Sequence, residues 1–391
     1  MNRIYKYLHG DRPIWTMVLL LALWSILLVY SSVVTLAYKY HGGNAIFYVF
    51  KHALFVGTGF GLIYIIHRIN YRYFSRIAQL LIWIVIPLLA LTLLLGVNVN
   101  NASRWLTIPF INQSFQTSDL AKLALIMFVA RTLAQKKDDL KDFSGTFVPM
   151  MGVVLLVIGL ILPANLSTAV VLLATSLLLM FMAGVKVKHL LTLVPLAISA
   201  IAIIIILAKT SPDFFPRFET WNNRIENFIS GEGNSDGNYQ TDQAKIAIAT
   251  GGFMGKGPGN STQRNFLPSS YSDFIYAIIV EEYGFLGGLV IILLYMALLY
   301  RSLRIVQQVK GSFAAYLVLG LSFSLVIQGM INMGVNVGLL PVTGQTLPLI
   351  SKGGTSFWFT SISLGIILSV SRSIQEEEKV ESLKQNRYVQ A

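Results

Sequence analysis

A chain of 391 residues with 54% hydrophobic and only 12% charged residues stands far from the soluble norm of about 25% charged. With a mean hydropathy of +0.64, this composition excludes a soluble globular enzyme, and the absence of cysteine excludes disulfides and thiolate metal sites. The net charge of +12, which in a soluble protein would suggest nucleic acid, here fits basic loops facing anionic lipid, so no nucleic-acid partner is expected.

A hydrocarbon core of roughly 30 Å needs about 20 apolar residues per helix. Ten runs of that kind lie near 14–36, 45–66, 75–96, 118–135, 146–162, 166–184, 189–208, 270–300, 313–337 and 346–371. The first run is span-length and lacks a small-residue cleavage site, so no cleavable signal peptide is expected. The fifth and sixth runs meet at "LPAN", a tight hairpin. The fold class read from this is an all-α polytopic membrane protein of about ten helices, one membrane domain over 1–391. Lysines and arginines set its orientation. Arg3, Lys6, Arg12, Arg68, Arg72, Arg76, Arg131, Lys136, Lys137, Lys141, Lys186, Lys188, Arg301, Arg304 and Lys310 fall on one side with the tail at 372–391, which is expected to place both termini in the cytoplasm. The long segment 209–269 is then extracytoplasmic. Its "SGEGNSDGNYQ" reads as a flexible loop, and "TDQAKIAIATGGF" as a short surface helix ending at Gly251–Gly252. No internal repeat is visible.

Charged groups in such a chain are costly and mark function or pairing. In order, the first is Arg104 in "NNASRWLTIP", followed by Asp119 and Lys122 in "TSDLAKLALI". Their three-residue spacing puts the latter two on one helical face, either as a structural salt bridge or as a charged cavity wall. Next comes "GGFMGKGPGNSTQRNFLP", 251–268, whose glycines with Lys256 and Arg264 read either as a pyrophosphate cradle or as a flexible outer loop; the Walker order is absent. In "SSYSDFIYAIIVEEYGFLGG" Asp273 stands at a helix mouth, where a helix N-cap is the bland alternative. Glu281 and Glu282 follow, about 12 Å deeper at 1.5 Å per residue. Finally, "GLLPVTGQTLPLISKGGTSF" interrupts the last run with proline and glycine, leaving non-helical backbone that needs shielding, with Lys352 beside two glycines. Arg104, Lys122, Asp273 and Lys352 are expected on one side, an arrangement suited to a polyanionic lipid head group and a general base. The five histidines show no ligand spacing. No metal site follows from sequence, although the acid cluster offers oxygen to a loosely held divalent cation, Mg or Mn.

Four motifs carry a resemblance that spans essentially the whole chain: "ASRWL" with "SDLAKLA", "NYQ…QAKIAI..GG..GKGPGNS.Q...LP", "SDFIYAIIVEEYGFLG", and "NMGVNVGLLPVTGQTLPLIS.GG.S". They resemble the SEDS family (shape, elongation, division and sporulation), and "GKGPGNS" resembles its division branch more than its elongation branch. The resemblance implies ten-span glycosyltransferases that polymerise lipid II into peptidoglycan at the outer face of the bacterial inner membrane, here at the septum. It implies Asp273 as catalytic base, Asp119 with Lys122 as the intramembrane acid–lysine pair, and Arg104 as the outer-loop arginine. Lys256, Arg264, Lys352 and Arg104 would stabilise the departing pyrophosphate, and Glu281 or Glu282 would organise the cavity beneath Asp273, whose pKa need not be unusual. Three departures stand out: Asp119 where glutamate is usual, Thr343 with Lys352 where lysine and tyrosine are usual, and Asn165 where an acid is common. The partners implied are a class B penicillin-binding protein of the FtsI transpeptidase type and other divisome membrane proteins. No S-x-x-K nucleophile occurs in this chain. The rival class is a lipid II flippase or ion-coupled transporter, for which buried acid–lysine pairs would be a relay; against it, the expected charges crowd the outer half. A third reading, a structural divisome scaffold, would leave Asp273 dispensable.

Overall fold

Long apolar runs in a membrane satisfy their backbone internally as helices. The computed structural model describes residues 9–98, 103–108, 113–210, 218–230 and 236–390; Arg3 and Lys6 of the orientation argument, and 231–235 of the expected flexible loop, lie outside them. In chain order the helices are α1 (Arg12–Ser32), α2 (Val34–His41), α3 (Ala45–Arg68) and α4 (Arg72–Leu95), then strands β1 (Val97–Asn98), β2 (Ser103–Ile108) and β3 (Gln113–Gln116). After them come α5 (Thr117–Gln135), α6 (Val148–Ile161), α7 (Leu166–Ala183), α8 (Val187–Leu191), α9 (Leu193–Thr210), α10 (Phe218–Ser230) and α11 (Asp236–Gly251). The chain closes with α12 (Ile275–Gln308), α13 (Ser312–Asn336) and α14 (Thr355–Gln390). All ten expected runs coincide with helices. Among the described residues, 8 helices are long and apolar enough to cross a membrane. Of the other two runs, the α5 run carries Asp119, Lys122 and Arg131, and the other corresponds to α9.

Local chemistry sets the ends. Asp11 caps α1, its Oδ1 accepting from the Ile14 amide at 3.0 Å with Pro13 in the first turn. Asn165 caps α7 in the same way, accepting from Thr168, so the "LPAN" hairpin is closed by a cap. Packing relies on small residues where helices approach closely. Gly59 of α3 faces Phe357 and Ser361 of α14, Gly365 of α14 faces Ile63 and Ile66 of α3, and Gly320 of α13 faces Ile126 and Leu179. Outward faces such as Leu80, Trp83, Leu94 and Leu95 of α4 stay exposed, as lipid contact requires.

The two ends of the bundle differ. At one, Gly10 and Gln375 exchange hydrogen bonds at 3.0 Å and Arg301 pairs with Asp11, so the start of α1 and the far part of α14 share a face. At the other lie the sheet and the long loops. Two sequence expectations need correction there. A three-stranded antiparallel sheet, with β2 pairing β3 from Trp105↔Gln116 to Ile108↔Gln113, interrupts an otherwise helical fold. The loop 209–269 holds α10, and α11 starts at Asp236, inside the stretch read as flexible. Helix α11 ends at Gly251 as expected for the surface helix, and it buries Ala244 and Ala247 on its inner side against Phe274, Ala277 and Val335. At the opposite end, with Gly10, the tail at 372–391 continues α14 as helix through Gln390.

Candidate functional site

The turn 269–274 precedes α12, so Asp273 stands outside the helix that its motif opens. Its carboxylate does not cap that helix: the N-cap residue is Phe274, with no side-chain cap bond. The backbone is what is held. The Asp273 carbonyl accepts from Nδ2 of Asn332 at 2.8 Å and of Asn336 at 3.0 Å, while Asn336 Oδ1 accepts from the Ala277 amide. Two buried amides of α13 thus fix the residue's position through its backbone, and its side chain lines a cavity. The 345–354 loop is fastened to the same turn, with Ser351 donating to the Ser272 carbonyl at 2.6 Å and the Lys352 amide to the Tyr271 carbonyl at 2.9 Å. Its non-helical backbone is therefore shielded by protein, as expected for that stretch.

These loops close one side of a cavity of about 430 Å³. Arg104, Asp119, Lys122, Asp273 and Lys352 all line it, so five expected site residues from four parts of the chain, β2, α5, the 269–274 turn and the 345–354 loop, meet at one end of the bundle. Asp119 and Lys122 pair at 2.8 Å, and Lys122 also donates to Gln328 Oε1 at 3.0 Å. Arg104 Nε donates to the Ala164 carbonyl at 2.6 Å, which ties β2 to the α6–α7 hairpin. Lys352 Nζ lies over the rings of Tyr48 and Tyr271 at 4.2 and 4.9 Å, a cation–π seat. Burial and the nearby Lys51 lower its amine to about 8. Burial pushes the Asp273 carboxyl above the usual carboxylate range, and the Ser272 hydroxyl and the Arg224 charge pull it back. The expectation of an ordinary pKa is corrected by that desolvation.

Sequence reasoning missed several of the lining groups. Lys51 and His52 of α3 reach the cavity, and Ser25 links His52, at 2.6 Å, to the Ile350 carbonyl, at 2.7 Å. The one signal for Lys51 was a lone lysine in an apolar run. Gln345, which donates to Thr168 Oγ1 at 2.7 Å, gave none.

Four expected site residues lie elsewhere. Gly284 has φ 70° and ψ −171°, which breaks α12 and frees backbone groups on both sides of it. The glycine-rich loop pairs with them: the Lys256 amide donates to Glu281 O, the Gly257 amide to Glu282 O, and the Phe285 amide to Gly252 O, each at 2.9 Å. A Cβ on Gly255 would strike the Glu282 carbonyl, and one on Gly284 the Phe253 carbonyl, so close backbone approach explains these glycines. The cradle does hold an anion, but it is the protein's own. Glu281 accepts from Lys256 Nζ at 2.6 Å, from the Thr262 amide and hydroxyl, from the Gln263 amide and from the Ser261 hydroxyl. Glu282 accepts from Ser31, and Arg264 donates to the Ser31 carbonyl at 3.1 Å. Lys256, Arg264, Glu281 and Glu282 are therefore corrected from cavity groups to loop fasteners. The correction also divides the acids expected to hold Mg or Mn. Among the described residues no group of three or more His, Asp or Glu converges, and Glu281 already accepts from a lysine, two hydroxyls and two amides.

The fold and cavity define a multi-pass membrane protein with an acid and several cations gathered where its spans meet their loops. Residues 11–376 match the model of the cell cycle protein family of FtsW, RodA and SpoVE, and the chain belongs to that family. It is 34% identical over 359 residues to stage V sporulation protein E of Bacillus subtilis, covering 90% of this chain and 94% of that protein. It is 32% identical over 377 residues to a probable peptidoglycan glycosyltransferase FtsW of Geobacter sp. strain M18, covering 95% and 98%. Among solved structures, a chain described under "Structural coordination of polymerization and crosslinking by a peptidoglycan synthase complex" superposes with a TM-score of 0.74 at 24% identity, over 93% of this chain and 98% of that one. The rod shape determining protein RodA of Thermus thermophilus gives 0.66 at 23%, over 93% and 97%. Both share the fold.

Proposed function

We propose that this chain is a peptidoglycan glycosyltransferase that polymerises lipid II into glycan strands for septal wall synthesis. The observation that carries the reading is Asp273, held by its backbone at the wall of a cation-lined cavity, with no cation within ion-pair distance among the described residues. In the reaction, the 4-hydroxyl oxygen of one lipid-linked disaccharide bonds to the anomeric carbon of another chain. The bond from that carbon to undecaprenyl pyrophosphate breaks, and the hydroxyl proton passes to Asp273 as general base. Charge develops on the leaving pyrophosphate, where Lys352, Lys51 and Arg104 are the cations placed to offset it. They replace Lys256 and Arg264 in that role. The Asp119–Lys122 pair would form the cavity's inner wall.

This reading orients the cavity end outward and both termini to the cytoplasm, at the division septum, with 209–269 extracytoplasmic. It also implies a separate crosslinking enzyme, a class B penicillin-binding protein, beside other divisome membrane proteins. The relatives named FtsW and the neighbour described as part of a synthase complex support it. The test is lipid II polymerisation by the purified full-length protein, alone and with its cognate transpeptidase. Glycan strands are expected at least in the second case. No strands in either, from folded protein, would overturn the reading.

A further inference from the structure

The Asp273 carboxylate has a charged neighbour that does not line the cavity. On α10, Trp221 is buried while Ile225, Phe228 and Ile229 are exposed, so the helix presents an apolar edge outward. Arg224 turns the other way, and its Nη1 donates to the Val342 carbonyl at 3.0 Å. Two residues on, Gly344 has φ +66°, and a Cβ there would lie 3.6 Å from Asp273 Oδ2. The turn 341–344 is thus held between Arg224 on one side and Asp273 on the other. No acid pairs with Arg224 within 4.0 Å among the described residues, and Asp273 is the acid whose charge it feels.

We propose that Arg224 is a positioning residue: from outside the cavity it fixes the turn that walls Asp273 and sets a fixed positive charge behind that turn. The inference rests on the reading of Asp273 as general base. Cavity cations are the ones a bound pyrophosphate engages, so their influence on Asp273 falls when substrate arrives. Arg224 is not part of the cavity lining and is held at the Val342 carbonyl, so its charge is not among those a ligand in the cavity would engage. Desolvation of Asp273 favours the neutral acid, and a fixed cation opposes it.

Other groups face Asp273 too. Lys51 and His52 come from α3, Arg104 from β2 and the Asp119–Lys122 pair from α5, with Lys352 and Tyr271 on the adjoining loops. Each remains in an Arg224 variant, so a change in pH profile isolates the arginine. The experiment measures the rate of lipid II polymerisation against pH for the full-length protein, Arg224→Gln and Arg224→Lys. Glutamine can still donate to Val342 but carries no charge. For it the acid limb should move up by about one pH unit, costing about tenfold below the limb and recovering above it. Lysine should keep the limb near its original place. A uniform loss at all pH values with an unmoved limb would reduce Arg224 to a structural anchor and overturn the proposal. Should Arg224→Gln not fold, the lysine variant decides: a retained limb and rate support the charge, and loss at every pH overturns it. Failure of the underlying reading shows separately, as polymerisation by Asp273→Asn with Arg224 intact.

Discussion

The wall around Asp273 and the knot around Glu281 use the same materials within one short stretch: a carboxylate, nearby cations, glycines and serine hydroxyls. They end in opposite electrostatic states. Glu281 is fully buried and receives a lysine, two hydroxyls and two backbone amides, so its charge is answered inside the protein. Asp273 has its backbone answered and its carboxylate left facing a cavity. A buried acid with every donor in place stiffens a fold, and one that meets only a serine hydroxyl and faces a cavity is available to a substrate. Residue type does not separate the two. Satisfaction does.

Substitution of the two acids should therefore break different properties. Asp273→Asn keeps size and position while removing the base, and polymerisation should fall by about 10²–10⁴-fold with the melting temperature unchanged. Near-normal glycan synthesis by that variant would remove Asp273 from the chemistry. Because burial holds its carboxyl above the usual range, activity of the unaltered protein should drop as pH falls through that raised value, where the base becomes protonated.

Glu281→Ala is the complementary break. It strands Lys256 and the amides of Thr262 and Gln263, and loss of one partner of a buried pair costs about 3–5 kcal/mol. A lowered melting temperature and faster proteolysis within 252–265 are expected. If Glu281→Ala melted like the unaltered protein but lost affinity for lipid II, the knot would belong to the substrate site after all.

Between these extremes lies the Asp119–Lys122 pair, which is buried like the knot yet lines the cavity. One Asp119 oxygen has no hydrogen-bond partner among the described residues, so the pair is incompletely satisfied. Either alanine substitution should lower both stability and rate, and the charge-swapped double should recover folding better than either single. Equal melts for singles and double would show that the pairing contributes nothing to the fold.

The sequence made the helices legible because lipid imposes one pattern, long apolar runs, on every span. It also made Arg104, Asp119, Lys122, Asp273 and Lys352 legible, since a charge near such a run stands out. What it hid depends on direction rather than identity. Glu281 and Lys256 lie 25 positions apart, and only the break at Gly284 turns the glycine-rich loop onto them. Lys51 and His52 face the cavity through the rotation of α3, which a span that is apolar on most sides does not encode. Helix α10 carries Trp221, Ile225, Phe228 and Ile229 at helical spacing, a pattern too short for a search for span-length runs to register.

Lys352 gives the subtlest test of the contrast, because its two roles respond to pH in opposite directions. Its amine sits at about 8 in the fold against an ordinary value of 10.5, so between these values the unfolded chain holds a proton that the folded one has released. The unfolded state then binds more protons, and this residue's contribution to stability rises with pH across that window. Affinity for a pyrophosphate should do the reverse, since the cation facing the cavity is lost as pH climbs through about 8. The expectation is a KM that rises several-fold above that value with kcat little changed, beside a melting temperature that does not fall with it. In Lys352→Arg the charge persists and the rise should vanish, while Lys352→Met should show a high, pH-independent KM. An unchanged alkaline rise in Lys352→Arg would show that Lys352 is not the titrating cation.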